Sequence, residues 1–218
     1  MDEKHITIGH EANMNIHERW NAVWTAMGLR PPPAAIIEQL LANYSDHGRF
    51  YHTVKHLEEC FSYLDRSRHL AMYPVEVEMA LWFHDAIYDT RGKDSEERSA
   101  SWVATALWES GAAPETVIRV RDLVLATKHD AEPVGADACL LVDIDLSILG
   151  APRERFDEYE AQVRQEYHWV PEVQFRDGRQ KILRALLARR NIYSTELFRS
   201  WLEANAKANL KRSLTRLA

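Results

Sequence analysis

The chain has 218 residues, with 27 Lys and Arg against 33 Asp and Glu, for a formal charge of −6. This acidic balance argues against an extended nucleic-acid-binding face. Two cysteines cannot frame a disulfide-stapled fold, and the longest apolar runs, MALWF and CLLV, fall far short of the ~20 residues that a membrane span needs.

The opening MDEKHITIGHEANMN has no basic stretch leading into an apolar one, so it reads as a loose arm over residues 1–15 and not as a signal peptide. Ile16, Trp20, Val23, Trp24 and Met27 then recur at helical spacing and stop at Gly28. After the Pro31–Pro33 run, Ile36, Ile37, Leu40, Leu41 and Tyr44 form a second stripe, closed by the turn Ser45–Gly48. A third helix is expected from near Tyr51, burying Leu57, Cys60, Phe61 and Leu64. Pro74 opens a fourth, where its missing N–H costs nothing, with Val77, Ala80, Leu81 and His84 on one face.

Tyr88–Asp94 is polar and reads as a loop. Ala100, Val103 and Leu107 run to Gly111, and Pro114 restarts the pattern through Val117, Val120, Val124 and Thr127. Asp130–Gly135 is a further loop. Asp137–Leu149 suits either a buried strand or a helix; Ala138, Leu141, Val142, Asp145 and Leu149 share one helical face, and helix is the reading taken. Phe156, Tyr159, Val163 and Tyr167 follow, then Ile182 to Leu187, Leu197 to Leu202, and Leu210, Leu214 and Leu217. The sum is one all-α domain over residues 16–218, a helical bundle of about ten helices. Cys60 and Cys139 read as reduced core thiols, which suits a cytoplasmic protein.

Ten histidines need explaining. His84-Asp85 ends an apolar helix, where an ionised carboxylate is costly unless paired or metal-bound. A divalent cation answers both residues, since imidazole nitrogen and carboxylate oxygen are its ordinary ligands. His52 and His56 are four apart and on a helix share a face; both can bind one metal, or one binds while the other acts on substrate. Asp145 falls on an apolar face and needs a partner, with Asp143 as its competitor about 160° away on an ideal helix. Three such clusters on three helices point to a shared centre among facing helices.

His56, His84-Asp85 and Asp145 resemble the H…HD…D signature of the HD-domain superfamily of metal-dependent phosphohydrolases. RFYHTVKH, LWFHDAIYD, SEERSA, DIDLSILG, RQEY and ANAKANL resemble one group within it, from about Trp20 onward. The resemblance implies an HD-like bundle holding one or two divalent cations on His56, His84, Asp85 and Asp145. Asp85 then counts as ligand and catalytic residue together. The Asp-Leu-Ser phrase favours Asp145 over Asp143, and His52 is implied as the proton donor, as in related cyclic-nucleotide phosphodiesterases. Those enzymes carry a further His where this chain has Tyr88, and His129 is the candidate ligand for a second ion.

An N₂O₂ set with two waters suits Mn, Fe, Co, Ni or Mg. Glu96 or Glu97 would orient the attacking water, with Ser95 as an N-cap the plainer alternative. Arg49, Lys55, Lys128, Arg164 and Arg179 are candidate phosphate-binding residues, and Trp82, Trp102, Trp108 and Trp169 candidate walls for a base. The expected activity is metal-dependent hydrolysis of a small phosphate ester, with a nucleotide as one candidate. The alternative is a non-catalytic HD-like module that binds or senses a nucleotide. Nothing in the sequence speaks to oligomeric state.

Overall fold

The computed structural model describes residues 15–217. The expected N-terminal arm lies outside the described residues, apart from Asn15. Among the described residues there are ten α-helices and no strand. They are α1 (Ile16–Ala26), α2 (Ala34–Tyr44), α3 (Val54–Ser67), α4 (Pro74–Phe83), α5 (Ser95–Glu109), α6 (Pro114–Ala126), α7 (Ala136–Asp145), α8 (Arg153–Glu166), α9 (Glu172–Ala188) and α10 (Glu196–Leu217). Short 3₁₀ turns follow α3 (Arg68–Leu70) and α7 (Leu146–Gly150). None of these helices is long and apolar enough to cross a membrane.

α4 is the axis of the molecule. Every residue from Glu76 to Phe83 is buried, as expected of a helix enclosed on all sides, and α1, α3, α5, α6 and α7 pack around it. Its two buried acids are neutralised by arginines from the surrounding elements. Glu76 takes a bidentate contact from Arg119 at 2.6 and 2.7 Å, and Glu78 meets Arg19 at 2.9 Å and also Arg68. Such pairing is what makes carboxylates tolerable there. Pro74 and Pro114 open α4 and α6 as the sequence suggests. Asn15 closes a capping box over α1, accepting from His17 N at 2.9 Å while Glu18 accepts from Asn15 N at 3.2 Å.

The segment 137–149 is helical, as α7 and its 3₁₀ extension. The two C-terminal stripes belong to one 22-residue helix, α10. Gly150 lies so close to this helix that a Cβ there would sit 2.5 Å from Leu202 Cβ and 2.8 Å from the Leu202 carbonyl oxygen. Two local expectations are corrected. Ser95 is not the cap of α5, which is Asp94; the Ser95 hydroxyl instead accepts from Asp89 N at 3.1 Å. The third helix begins at Val54, three residues after Tyr51: Thr53 is extended, with φ −114° and ψ 179°, and the N–H groups of Phe50, Tyr51 and His52 before it bind the Glu166 carboxylate. His52 therefore sits in a turn and does not share a helical face with His56.

Candidate metal centre

Four side chains from three elements converge beside α4. His56 comes from the first turn of α3, His84 and Asp85 from the turn that ends α4, and Asp145 from the last residue of α7. The two Nε2 atoms are 3.1 Å apart. Asp85 Oδ2 lies 3.2 Å from His84 Nε2 and 3.7 Å from His56 Nε2. Asp145 Oδ1 lies 3.3 Å from His56 Nε2 and 3.6 Å from His84 Nε2. Metal–ligand bonds of about 2.0–2.2 Å place neighbouring ligand atoms of one ion roughly 3.0–3.5 Å apart, so the spacing fits a shared cation.

The surroundings orient these ligands. His84 Nδ1 is 2.7 Å from the Leu81 carbonyl. A carbonyl only accepts, so Nδ1 carries the hydrogen and Nε2 offers its lone pair to the centre. Burial opposes a charge on His84, but Asp85 and Asp145 outweigh it and draw its pKa up to about 9. Working against burial, His84 and His52 hold Asp85, and His129, His56 and His84 hold Asp145, below the usual carboxylate range. The cluster thus concentrates negative potential at one point. His56 and His84 also form a buried group with Cys60 whose ligand atoms lie within 4.8 Å of one another and could hold a metal ion. Cys60 Sγ is 3.7 and 3.8 Å from the two nitrogens of His56. It therefore lies beside the ring, off the line of the Nε2 lone pair, whereas the two carboxylates face both Nε2 atoms.

Asp143 does not join this group. It is fully buried and accepts from Ser194 N, Thr195 N and Thr195 Oγ1, each at 2.7 Å. That anchors α7 to the start of α10. His129 does reach the centre: its Nε2 is 2.9 Å from Asp145 Oδ2, from a backbone with φ of 57°. Glu96 stands in the first turn of α5. Partial burial, with the charge of Asp85 and Glu97 beside it, raises its carboxyl pKa.

His52 is held by a residue that the sequence reading passed over. The buried Glu166 carboxylate accepts through Oε1 from Phe50, Tyr51 and His52 N at 2.8, 2.8 and 3.0 Å. Through Oε2 it accepts from His52 Nδ1 at 2.7 Å and Tyr88 Oη at 3.0 Å. Burial alone would raise its pKa, but the His52 bond and charge and the backbone donors bring it down to about 2. Tyr88 also stacks on the imidazole, with centroids 4.1 Å apart and 27° between planes. His52 Nε2 has no partner among the described residues. The RQEY phrase contains Glu166, and its spacing from Tyr159 and Val163 puts a carboxylate on a buried stripe; that was the available signal.

The five expected phosphate ligands are engaged elsewhere. Arg49 donates to the carbonyls of His52, Asp85 and Ala86 at 3.2, 2.6 and 3.1 Å, tying the His52 turn to the turn that carries His84 and Asp85. Lys55 pairs with Glu158 at 3.0 Å, and Lys128 with Glu97. Arg164 pairs with Glu172 at 2.9 Å and caps the Tyr167 carbonyl. Arg179 is buried against Glu160 and Tyr159 Oη. The tryptophans do not line one wall: Trp82 is core while Trp108 is 63% exposed. Comparison of the chain with family models, curated proteins and solved structures gives no match.

Proposed function

We propose that this chain is a metal-dependent phosphohydrolase of the HD type, acting on a small phosphorylated substrate in the cytoplasm. The convergence of His56, His84, Asp85 and Asp145 at ligand spacing carries the reading, and the H…HD…D resemblance supports it. These four residues would hold one divalent cation, Mn, Fe, Co, Ni or Mg, with His129 and Asp145 the nearest groups for a second. When bound, the cation would supply Lewis acidity and an activated water.

The remaining work falls to the chain's own groups. The Leu81 carbonyl keeps His84 in its ligating tautomer. Arg49 holds the His52 turn in register with the turn that carries His84 and Asp85 through three carbonyls. Glu166 fixes the imidazole of His52, so that Nε2 is free to give a proton to the departing oxygen. Glu96, its pKa raised by partial burial and the charge of Asp85, is the candidate for orienting the attacking water. The Cys60 and Cys139 thiols are free, which suits a reducing compartment.

A phosphate-release screen over sugar phosphates and nucleotides with added Mn²⁺, Co²⁺ or Mg²⁺ tests the proposal. Turnover is expected, and His84→Ala or Asp85→Ala should abolish it while the far-ultraviolet helical signal persists. A protein that purifies without metal, and stays inert with every added cation, would overturn it.

A further inference from the structure

We infer that this centre acts on the phosphate ester of an alcohol carrying a single phosphoryl group, and discriminates against phosphoanhydrides. The inference rests on the phosphohydrolase reading and specifies its substrate class. Two independent features carry it.

The first is a built proton donor. An alkoxide is a poor leaving group and departs readily only if it is protonated as the P–O bond breaks. A phosphate expelled from an anhydride, or a nitrophenolate, leaves without that help. His52 Nδ1 is committed to Glu166 at 2.7 Å. Tyr88 covers one face of the ring and shares the same carboxylate oxygen, while Nε2 has no partner among the described residues. A buried glutamate that accepts all its hydrogen bonds from one turn and one tyrosine is an expensive device for a reaction needing no acid. In hydrolysis, the water oxygen forms the new bond to phosphorus and the bond to the alcohol oxygen breaks. That oxygen takes the Nε2 proton, and neutral His52 regains one from the water, so ester and water give alcohol and phosphate.

The second feature is the charge left around the centre. A di- or triphosphate brings several negative charges that need cations beyond one metal. Arg49, Lys55, Lys128, Arg164 and Arg179 are all held by carboxylates or carbonyls of the chain itself. Near the centre, Asp145 Oδ2 is taken by His129, and Glu96 and the outer oxygen of Asp85 repel further phosphates. A single phosphoryl group needs only the metal.

The test compares a sugar monophosphate, p-nitrophenyl phosphate, pyrophosphate and a nucleoside triphosphate on the Mn²⁺-loaded protein. The sugar ester should exceed both anhydrides in kcat/KM by about 100-fold or more. His52→Ala and His52→Gln should cost the sugar ester about 10²–10⁴-fold, and at least ~30-fold more than they cost the aryl ester. On the metal-free protein, above the imidazole's titration, nitrogen-15 NMR should find the hydrogen of His52 on Nδ1 and move it in Glu166→Gln. Anhydrides turned over as fast as the sugar ester, equal losses on alkyl and aryl esters, or a hydrogen on Nε2 would each overturn this inference while leaving a phosphohydrolase. No phosphate from any substrate, with metal binding seen by calorimetry, would overturn the phosphohydrolase reading itself.

Discussion

Glu166→Gln isolates the clamp on the His52 turn. The amide oxygen can still accept from Phe50, Tyr51 and His52 N, but an NH₂ then faces two donors, His52 Nδ1–H and Tyr88 O–H. The tyrosine hydroxyl can rotate, whereas the imidazole must surrender its Nδ1 hydrogen. The magnitude follows from linkage. The Glu166 pKa is drawn from 4.5 to about 2, which at 1.36 kcal/mol per unit corresponds to about 3 kcal/mol of native-state stability. Because the folded pKa is depressed, this stability is present above about pH 4.5 and lost as pH falls toward 2. His52 moves the other way: burial lowers its pKa, but Asp85 and Glu166 raise it overall, so its share is complete below pH ~6.5 and fades as pH rises through the folded value. The stabilisation should therefore peak between about pH 4.5 and 6.5. Urea unfolding in EDTA, for the native chain and E166Q from pH 3 to 8, reads the gap directly. A gap that is absent, or unchanged between pH 5.5 and pH 3, would refute the clamp.

Asp143→Asn should lower stability by about 1–3 kcal/mol, since one of three accepted hydrogen bonds is lost or reversed in a buried site. It should leave metal affinity by calorimetry near that of the native chain, while Asp145→Asn lowers that affinity at least tenfold. The opposite pattern would exchange their roles. Gly150→Ala forces a methyl against Leu202 Cβ and its carbonyl and should cost about 1–3 kcal/mol in thermal unfolding; an unchanged midpoint would mean that α10 can move aside.

The helices were legible because each buries one stripe, and a 3.6-residue period survives in a single sequence. α4 was legible from Pro74 at its start and from Val77, Ala80, Leu81 and His84 on one face, although the structure buries it on every side. His56, His84 and Asp85 announced themselves by chemical type. His52 was misplaced because helical spacing from His56 looked sufficient, while the extended backbone of Thr53 separates it from α3 and a carboxylate more than a hundred residues away holds its turn. The partners of the five basic residues were hidden for the same reason, since a side chain's neighbours are concealed by sequence distance.

The sequence by itself determined an all-α chain and a supply of imidazoles and carboxylates suited to a cation, because periodicity and ligand chemistry are local properties. Only the tertiary structure decided that Asp145 faces the histidines while Asp143 anchors α10, that Glu166 governs His52, and that the nearby arginines are already committed. Each of these is a choice between partners brought together from distant segments. It is settled by where packing points a side chain and by which buried donor or acceptor would otherwise go unsatisfied.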